Sequence, residues 1–172
     1  MDRYIVAIDP GNEQSAYVIL GPDLRPIASA KLANELMYAH MTEAIYQTAL
    51  KHPGAKFNYA IEMIASYGMP VGAEVFDTCR WIGRLEERLR RHGVTLIYRK
   101  DEKITLCGSM KANDATIKQA LIDRFAPGAK NYGKGTKKEP GWFYGFKADI
   151  WAAYAVGVTY HDMYIGTGKH GG

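Results

Sequence analysis

The sequence has few cysteines, no long apolar run and no strong excess of charge of either sign. Its 172 residues include only Cys79 and Cys107, so no disulfide framework is expected, and both thiols are predicted to be reduced core residues. The longest apolar runs are too short to span a bilayer, and the amino terminus lacks the basic-then-apolar order of a signal peptide. We therefore expect a cytoplasmic protein with no membrane partner.

The remaining composition is that of one ordinary globular domain. Hydrophobic residues make up 47% and charged residues 23%, and no internal repeat or linker divides the chain. We expect a single domain over residues 1–165 and a disordered tail over residues 166–172. The formal net charge of +4 favours a polyanionic partner such as DNA.

Two predicted strands each end on a carboxylate. Tyr4–Ile8 is a buried strand pattern that leads to Asp9, and Phe57–Ile61 leads in the same way to Glu62. Asp9 alone could be merely a turn former before Pro10. Two carboxylates on neighbouring strands would repel each other without a cation between them, which favours a divalent metal site.

The elements between these carboxylates predict how the two strands pair. Ser15–Leu20 and Pro26–Lys31 complete an antiparallel meander with the first strand. A helix over Glu35–Lys51, capped by Asn34, then leads to the strand that ends on Glu62. A helical crossover is typical of parallel strands, so both carboxylates should emerge at one edge of the sheet.

A basic stripe marks the next predicted helix, Val71–Arg91. Arg80 and Arg84 recur at helical spacing together with two further arginines, Arg88 and Arg91. The stripe is either a solvated face paired with Glu86 and Glu87 or a surface that faces DNA.

The chain then returns to the sheet. We predict a strand at Val94–Tyr98, a short helix or turn at Lys100–Cys107, and a helix that is capped by Asn113 or Asp114 and ends near Phe125.

A glycine- and lysine-rich stretch, Pro127–Gly141, should be mobile because it cannot bury itself. It is either a surface loop or a clamp that orders on phosphate. We favour the clamp because four lysines lie directly before the next acidic feature, namely Lys130, Lys134, Lys137 and Lys138.

The last predicted helix, Phe146–Tyr160, places Asp149 in its first turn, on a face of small residues that can pack on the sheet. A carboxylate there can simply interact with the helix dipole. Burial against the sheet favours a metal-bound Asp149 instead, because aspartate is rarely buried without a partner.

The order of elements and four short motifs resemble a known family. The predicted order of elements is three strands followed by helix, strand, helix, strand, helix and helix, which is the order of the ribonuclease H fold. This α/β fold has a five-stranded mixed sheet, with three antiparallel strands followed by two parallel ones, and helices flank the sheet. Four motifs narrow the resemblance, namely Ile8–Gly11, Ile61–Glu62, Lys103–Asn113 and Ala148–Ala155. In these motifs the chain resembles RuvC-type Holliday junction resolvases.

This resemblance implies a structure-selective endonuclease that resolves four-way or other branched DNA. Asp9 would bridge two Mg²⁺ or Mn²⁺ ions, with Glu62 and Asp149 each holding one side, and a water would attack the phosphorus in line. The resemblance further implies a homodimer, to which the helix after Glu62 contributes, and the sequence looks more like phage or prophage resolvases than housekeeping enzymes.

The same resemblance assigns DNA contacts. Lys103 matches a lysine near the scissile phosphate and thus a catalytic residue, although a surface lysine is the simpler alternative. Tyr67 is either an aromatic that stacks on the junction or a core tyrosine. Lys111 and Lys118 lie near the position of a second family lysine, which is Asp114 here.

One family feature is missing. Phe146 stands where the family usually has a fourth metal ligand, so Lys147, Glu74 or a water would have to alter or complete the shell. A catalytically weakened or inactive DNA-binding or scaffolding protein with the same fold is therefore the alternative function. An ATPase of the actin or sugar-kinase type would need a second copy of the domain, for which the chain is too short.

Overall fold

A computed structural model describes residues 2–166 and shows a five-stranded mixed sheet between two layers of helices. The strands lie in the order β3-β2-β1-β4-β5. β1 pairs antiparallel with β2 and parallel with β4, as predicted, and β4 pairs parallel with β5. The strands span Arg3–Asp9 (β1), Gln14–Leu20 (β2), Pro26–Ala33 (β3), Lys56–Met63 (β4) and Val94–Tyr98 (β5).

Five α-helices connect and cover these strands. They span Asn34–Lys51 (α1), Ala73–Leu89 (α2), Arg99–Cys107 (α3), Asp114–Phe125 (α4) and Ala148–Tyr160 (α5). A 3₁₀ turn at Asn131–Gly133 precedes α5, and a π-helical turn at His161–Ile165 follows it. None of the helices within residues 2–166 is long and apolar enough to cross a membrane.

Some predicted boundaries were wrong. Asn34 does not cap α1; it is the first helical residue, and its side chain binds the turn after β1. Asn113 does cap α4, where its side chain accepts a hydrogen bond from the backbone N–H of Thr116 at 3.0 Å. α5 begins at Ala148 rather than at Phe146. Of the tail predicted to be disordered, Gly166 is described and residues 167–172 lie outside the described part of the chain.

Alternate residues of β1 enter two separate cores. Val6 and Ile8 pack with α1 and α2 on one face of the sheet, whereas Ile5 and Ala7 pack with α4 and α5 on the other. This alternation follows from the two-residue repeat of a strand. It also fixes which face of the sheet receives a side chain at the end of β1.

α5 packs unusually close to the sheet at Gly157. A Cβ atom there would lie 2.6 Å from Leu20 Cδ1 and 3.1 Å from Ala7 Cβ, and both of these residues are fully buried. The predicted small-residue face of this helix is therefore confirmed at its point of closest approach.

We predict opposite effects of alanine at two helical glycines. Gly157→Ala should lower the melting temperature, because overpacking a core costs about 1–3 kcal/mol. Gly83→Ala should raise the melting temperature and increase the free energy of unfolding by up to about 1 kcal/mol. Gly83 is exposed in α2 with open space around it, and alanine is the better helix former. Thermal unfolding of both variants would check this, and a stabilised Gly157→Ala protein would contradict the close contact.

Candidate active site

Strand register brings Asp9 and Glu62 together. Ile8 of β1 pairs with Ile61 of β4, so the next residue of each strand reaches the same level of the sheet. Ala7 and Ala60 both face the α5 side, and the two-residue repeat turns Asp9 and Glu62 to that side as well. Their carboxyl groups lie within hydrogen-bonding reach of each other. The predicted convergence of these carboxylates is thus present.

A hydrogen-bonded clamp holds the turn that follows Asp9. The buried Ser15 hydroxyl accepts hydrogen bonds from the Gly11 N–H at 3.1 Å and from the Trp81 indole N–H at 3.0 Å, and it donates to Asn34 Oδ1 at 2.6 Å. The Asn34 amide donates in turn to the Gly11 carbonyl at 3.0 Å. These contacts join β2, α1 and α2 to the turn and so fix the position of Asp9.

Asp149 approaches the same face from α5 and pairs with a lysine. Asp9 lies opposite Ala16, and Ala16 lies opposite Lys31, so the three residues form a row across the sheet. Lys31, at the far end of this row, forms an ion pair with Asp149. Asp149 is close enough to act electrostatically on Asp9. Sequence analysis did not identify Lys31, because its partner lies on an element distant in the sequence.

A further carboxylate, Glu102, lies buried beside this site and was also missed. Its side chain is fully buried, and its Oε2 atom accepts a hydrogen bond from Arg99 Nη1 at 2.6 Å. Arg99 also forms an ion pair with the exposed Asp114. The one available signal was the spacing of Arg99 and Glu102, which places them on neighbouring turns once this segment is helical.

The crowded carboxylates bind protons more tightly than isolated ones. Burial, the negative charge of Glu62 and a hydrogen bond to Glu62 raise the pKa of Asp9 from 3.8 to about 9, and Asp149 and Glu102 add smaller repulsions. Burial and the charge of Glu62 raise the pKa of Glu102 to about 8, although Arg99 opposes that rise. If all of these carboxyl groups were ionised, the site would therefore carry more negative charge than the basic side chains around it neutralise.

These side chains fit a divalent ion in their chemistry. Mg²⁺ and Mn²⁺ prefer the hard oxygen ligands that Asp9 and Glu62 present. Within residues 2–166, however, no three acidic, histidine or cysteine side chains already stand close enough together to hold an ion. Asp149, which pairs with Lys31, would have to leave that lysine to join the other two carboxylates.

The carboxylates line an open cleft with basic walls. The cleft encloses about 660 Å³ and brings Asp9, Glu62 and Asp149 together with four basic side chains, namely Arg99, Lys118, Lys134 and Lys147. Lys118 is held over two aromatic rings, with its Nζ atom 4.2 Å from the Tyr132 centroid and 5.1 Å from the Trp151 centroid. The cleft can therefore receive an anionic ligand beside the acidic group.

The lysine-rich stretch contributes to this cleft through an anchored segment. Gly135 and Pro140 form an isolated β-bridge, and the Lys134 carbonyl accepts a hydrogen bond from the Gly141 N–H at 2.9 Å. Gly133 is buried against Ala126 and Phe143, so the expectation that the stretch cannot bury itself was wrong at this point. Lys137 and Lys138 are exposed and do not line the cleft.

Lys103 and Tyr67 lie in shallower pockets beside the cleft. Lys103 shares its pocket with Arg99 and Asp114, and its Nζ atom lies 3.5 Å from the Met110 carbonyl oxygen. Tyr67 is 67% exposed and lines a pocket with Glu62 and Arg99, so the alternative of a core tyrosine was wrong.

The other predicted DNA contacts lie away from the carboxylates. Arg80 pairs with Asp77 at 3.5 Å, and Arg84 approaches Glu35 of α1 at 4.0 Å. The arginine stripe is therefore partly paired, but Glu35 and Asp77, rather than Glu86, are the partners of these two arginines. Lys111 is exposed and does not line the cleft.

Phe146 and the two protein side chains considered for completing the metal shell, Glu74 and Lys147, lie in different surroundings. Phe146 is buried in an aromatic cluster with ring centroids 5.2 Å from Phe143, 5.0 Å from Trp151 and 5.4 Å from Tyr154. Glu74 is exposed at the start of α2 and does not line the cleft. Lys147 does line it, as a cation.

Comparison with solved structures identifies the fold. No family model and no curated protein sequence matches the chain. The structure of Thermus thermophilus RuvC matches it with a TM-score of 0.61 and 14% identity over 96% of each chain. The chain has the RuvC fold. A T. thermophilus RuvC structure in complex with a Holliday junction substrate gives the same TM-score with 10% identity over 93% of each chain.

A third match is a viral protein. The fowlpox virus Holliday junction resolvase aligns with 15% identity over 93% of this chain and 99% of its own, with a TM-score of 0.48. The five-stranded mixed sheet of the ribonuclease H-like class that was predicted from the sequence is confirmed.

Within this RuvC fold, we predict that the carboxylates lower the stability of the metal-free protein at high pH. Folded Asp9 keeps its proton up to about pH 9, whereas the unfolded chain loses it near 3.8, so the folded state binds more protons between these values. Stability must then fall as pH rises through this window. In EDTA, the melting temperature of Asp9→Asn should fall less between about pH 5 and pH 9 than that of the wild type.

The matched control is Asp77→Asn, which removes one exposed carboxylate of α2. Its pH profile should follow that of the wild type. An Asp9→Asn profile that also follows the wild type would show that the contact with Glu62 is not a charge repulsion.

Proposed function

We propose that the chain is a divalent-metal-dependent endonuclease that cleaves branched DNA, with the four-way junction as its substrate. The observation that carries this proposal is the contact between the Asp9 and Glu62 carboxyl groups at the edge of the sheet, in a cleft that also holds Asp149. Basic side chains line the same cleft, so acidic metal ligands and phosphate-binding cations occur together.

The fold supports this choice of substrate. T. thermophilus RuvC, which was solved in complex with a Holliday junction substrate, shares the fold over 93% of both chains. The motifs that resemble RuvC also include each of the three carboxylates. Because a fold alone does not fix an activity, the proposal depends on the residues in the cleft.

The proposed chemistry assigns separate tasks to the acidic and basic residues. Asp9 and Glu62 would hold Mg²⁺ or Mn²⁺, joined by Asp149 once it leaves Lys31. Bound ions of this kind activate a water and stabilise the charge that develops on a phosphate. Lys118, Lys134 and Lys147 would bind the DNA backbone beside the ions and orient the scissile phosphate.

We further propose that the protein acts as a homodimer and that Tyr67 contacts the junction. A two-fold symmetric junction presents two equivalent strands, which two copies of one chain can cut symmetrically. Tyr67 is exposed beside Glu62, where a base could stack on its ring. Lys103, in the pocket next to Arg99, would contact the DNA near the cleavage site.

Asp9→Asn and Asp149→Asn should each lower the rate of junction cleavage on the order of 10²–10³-fold, because each removes charge that holds the ion at the reacting phosphate. Junction binding should persist, since the basic side chains stay in place. Gel-based cleavage of four-way, three-way and linear DNA at equal salt would measure the first effect, and fluorescence anisotropy the second. Asp77→Asn is the matched control, and normal cleavage by Asp9→Asn with Mg²⁺ would overturn the proposal.

DNA affinity should depend on the lysines of the cleft more than on the arginines of α2. Lys118→Gln combined with Lys134→Gln should reduce the slope of log affinity against log salt by about 2, because each lysine would neutralise about one phosphate. Arg80→Gln combined with Arg84→Gln removes the same charge but should change the slope less, since both arginines already approach carboxylates. Equal slopes for the two double variants would instead favour DNA binding along α2.

A non-catalytic DNA-binding protein is the second candidate, and the burial of Phe146 favours it. A buried phenylalanine cannot supply the oxygen ligand that the family usually has at this position. Calorimetric titration with Mn²⁺ would separate the candidates. Binding that is lost in Asp9→Asn supports the nuclease, whereas no binding to the wild type supports the inactive protein.

A further inference from the structure

Glu102 carries a buried oxygen atom that nothing in the protein satisfies. Among the residues from 2 to 166, only Glu102 Oε1 and Thr159 Oγ1 are buried side-chain atoms without a hydrogen-bond partner. Glu102 is fully buried and sits on α3, whereas Thr159 lies within the helix that packs on the sheet. A buried carboxylate oxygen without a partner is costly and calls for an explanation.

The position of Glu102 connects it to the candidate active site. α3 starts directly after β5, and Ile97 at the end of β5 pairs with Glu62 in the sheet. The first turn of α3 therefore lies beside the end of β4. Of the acidic groups that act electrostatically on Glu102, Glu62 has the largest effect, and Glu102 in turn acts on Asp9.

Arg99 compensates only one of the two oxygens of Glu102. Its Nη1 atom donates to Glu102 Oε2 at 2.6 Å, and its Nη2 atom faces Asp114 instead of Oε1. The guanidinium thus holds the Glu102 carboxylate through Oε2, and Oε1 remains buried without a partner. A cation bound between Glu102 and Glu62 would satisfy this oxygen.

We propose that Glu102 is the fourth carboxylate of the metal centre and binds a divalent ion through Oε1. This inference rests on the proposed function, because it requires that Asp9 and Glu62 hold the ion. Glu102, on α3, would supply the carboxylate that Phe146, in the segment before α5, cannot supply. Arg99 is the positioning residue that fixes the orientation of this ligand.

The competing explanation is a buried ion pair that only fastens α3. Such a pair would tie Glu102 to Arg99 and have no influence on metal binding. The two explanations differ in the affinity for the metal and in the number of waters left on the bound ion, so both quantities need to be measured.

The experiment compares Glu102→Gln with Asp123→Asn in the full chain. Glutamine keeps the shape and can still accept from Arg99, whereas Asp123 is an exposed carboxylate on the neighbouring α4 and controls for the lost charge. Calorimetric titration with Mn²⁺ should show binding that is about 10- to 100-fold weaker for Glu102→Gln. Asp123→Asn should bind Mn²⁺ as the wild type does.

A second measurement tests direct ligation. Luminescence lifetimes of bound Tb³⁺ in H₂O and D₂O count the waters on the ion, and the loss of one protein ligand should add about one water. An unchanged water count together with unchanged Mn²⁺ affinity in Glu102→Gln would overturn the inference. Where Glu102→Gln does not fold, Glu102→Asp serves instead, since it keeps the charge but withdraws the carboxylate; wild-type Mn²⁺ affinity in that variant would equally overturn the inference.

Failure of this inference is distinguishable from failure of the proposed function. If the wild type binds Mn²⁺, Asp9→Asn does not bind it and Glu102→Gln binds it as the wild type does, the metal site exists without Glu102. In that case only the inference about Glu102 fails. Wild-type protein that binds no Mn²⁺ overturns both proposals. Glu102 is supported as a ligand if Glu102→Gln binds Mn²⁺ more weakly and has one additional water on the bound ion, while Asp123→Asn shows neither change.

Discussion

The contact between the Asp9 and Glu62 carboxyl groups is the constraint on which the rest of the site depends. Two acidic groups that are brought together at the end of a sheet repel each other when both are ionised, and burial together with this repulsion raises the pKa of Asp9. The strands that carry them are held by apolar side chains on both faces and by parallel pairing from Arg3 to Ile8 of β1. The cores of the domain thus hold two groups together that would otherwise separate.

The surrounding cations are arranged so that they reduce this charge without cancelling it. Lys31, on the edge strand β3, pairs with Asp149, and Arg99 pairs with Glu102 within α3. Neither of them pairs with Asp9 in the structure. Asp9 is therefore not neutralised by either of these two cations, and the remaining basic side chains line the same cleft as Asp9 and Glu62.

Sequence patterns were sufficient for the architecture and for the first two carboxylates. The two-residue repeat and the helical crossover placed Asp9 and Glu62 at one edge, because strand periodicity and handedness are local rules. Contacts between distant elements were not accessible in this way. The pairing of Lys31 with Asp149 depends on strand register, and Arg84 meets Glu35 on another helix instead of the neighbouring glutamates. The burial of Glu102 depends on how α3 packs, which its own short sequence does not reveal.

Phe146 shows why the acidic site could not be completed from the segment that precedes α5. Its ring packs edge-on against Trp151 and Tyr154, within a cluster that joins this segment to the core under the sheet. A carboxylate at this position would lose its water and face only aromatic rings, which costs several kcal/mol unless a partner is present. Once this position belongs to the core, a further acidic group has to come from a different element. α3 is suited to this role because it begins at the end of β5, the strand next to β4, and because Arg99 there holds the buried Glu102 carboxylate.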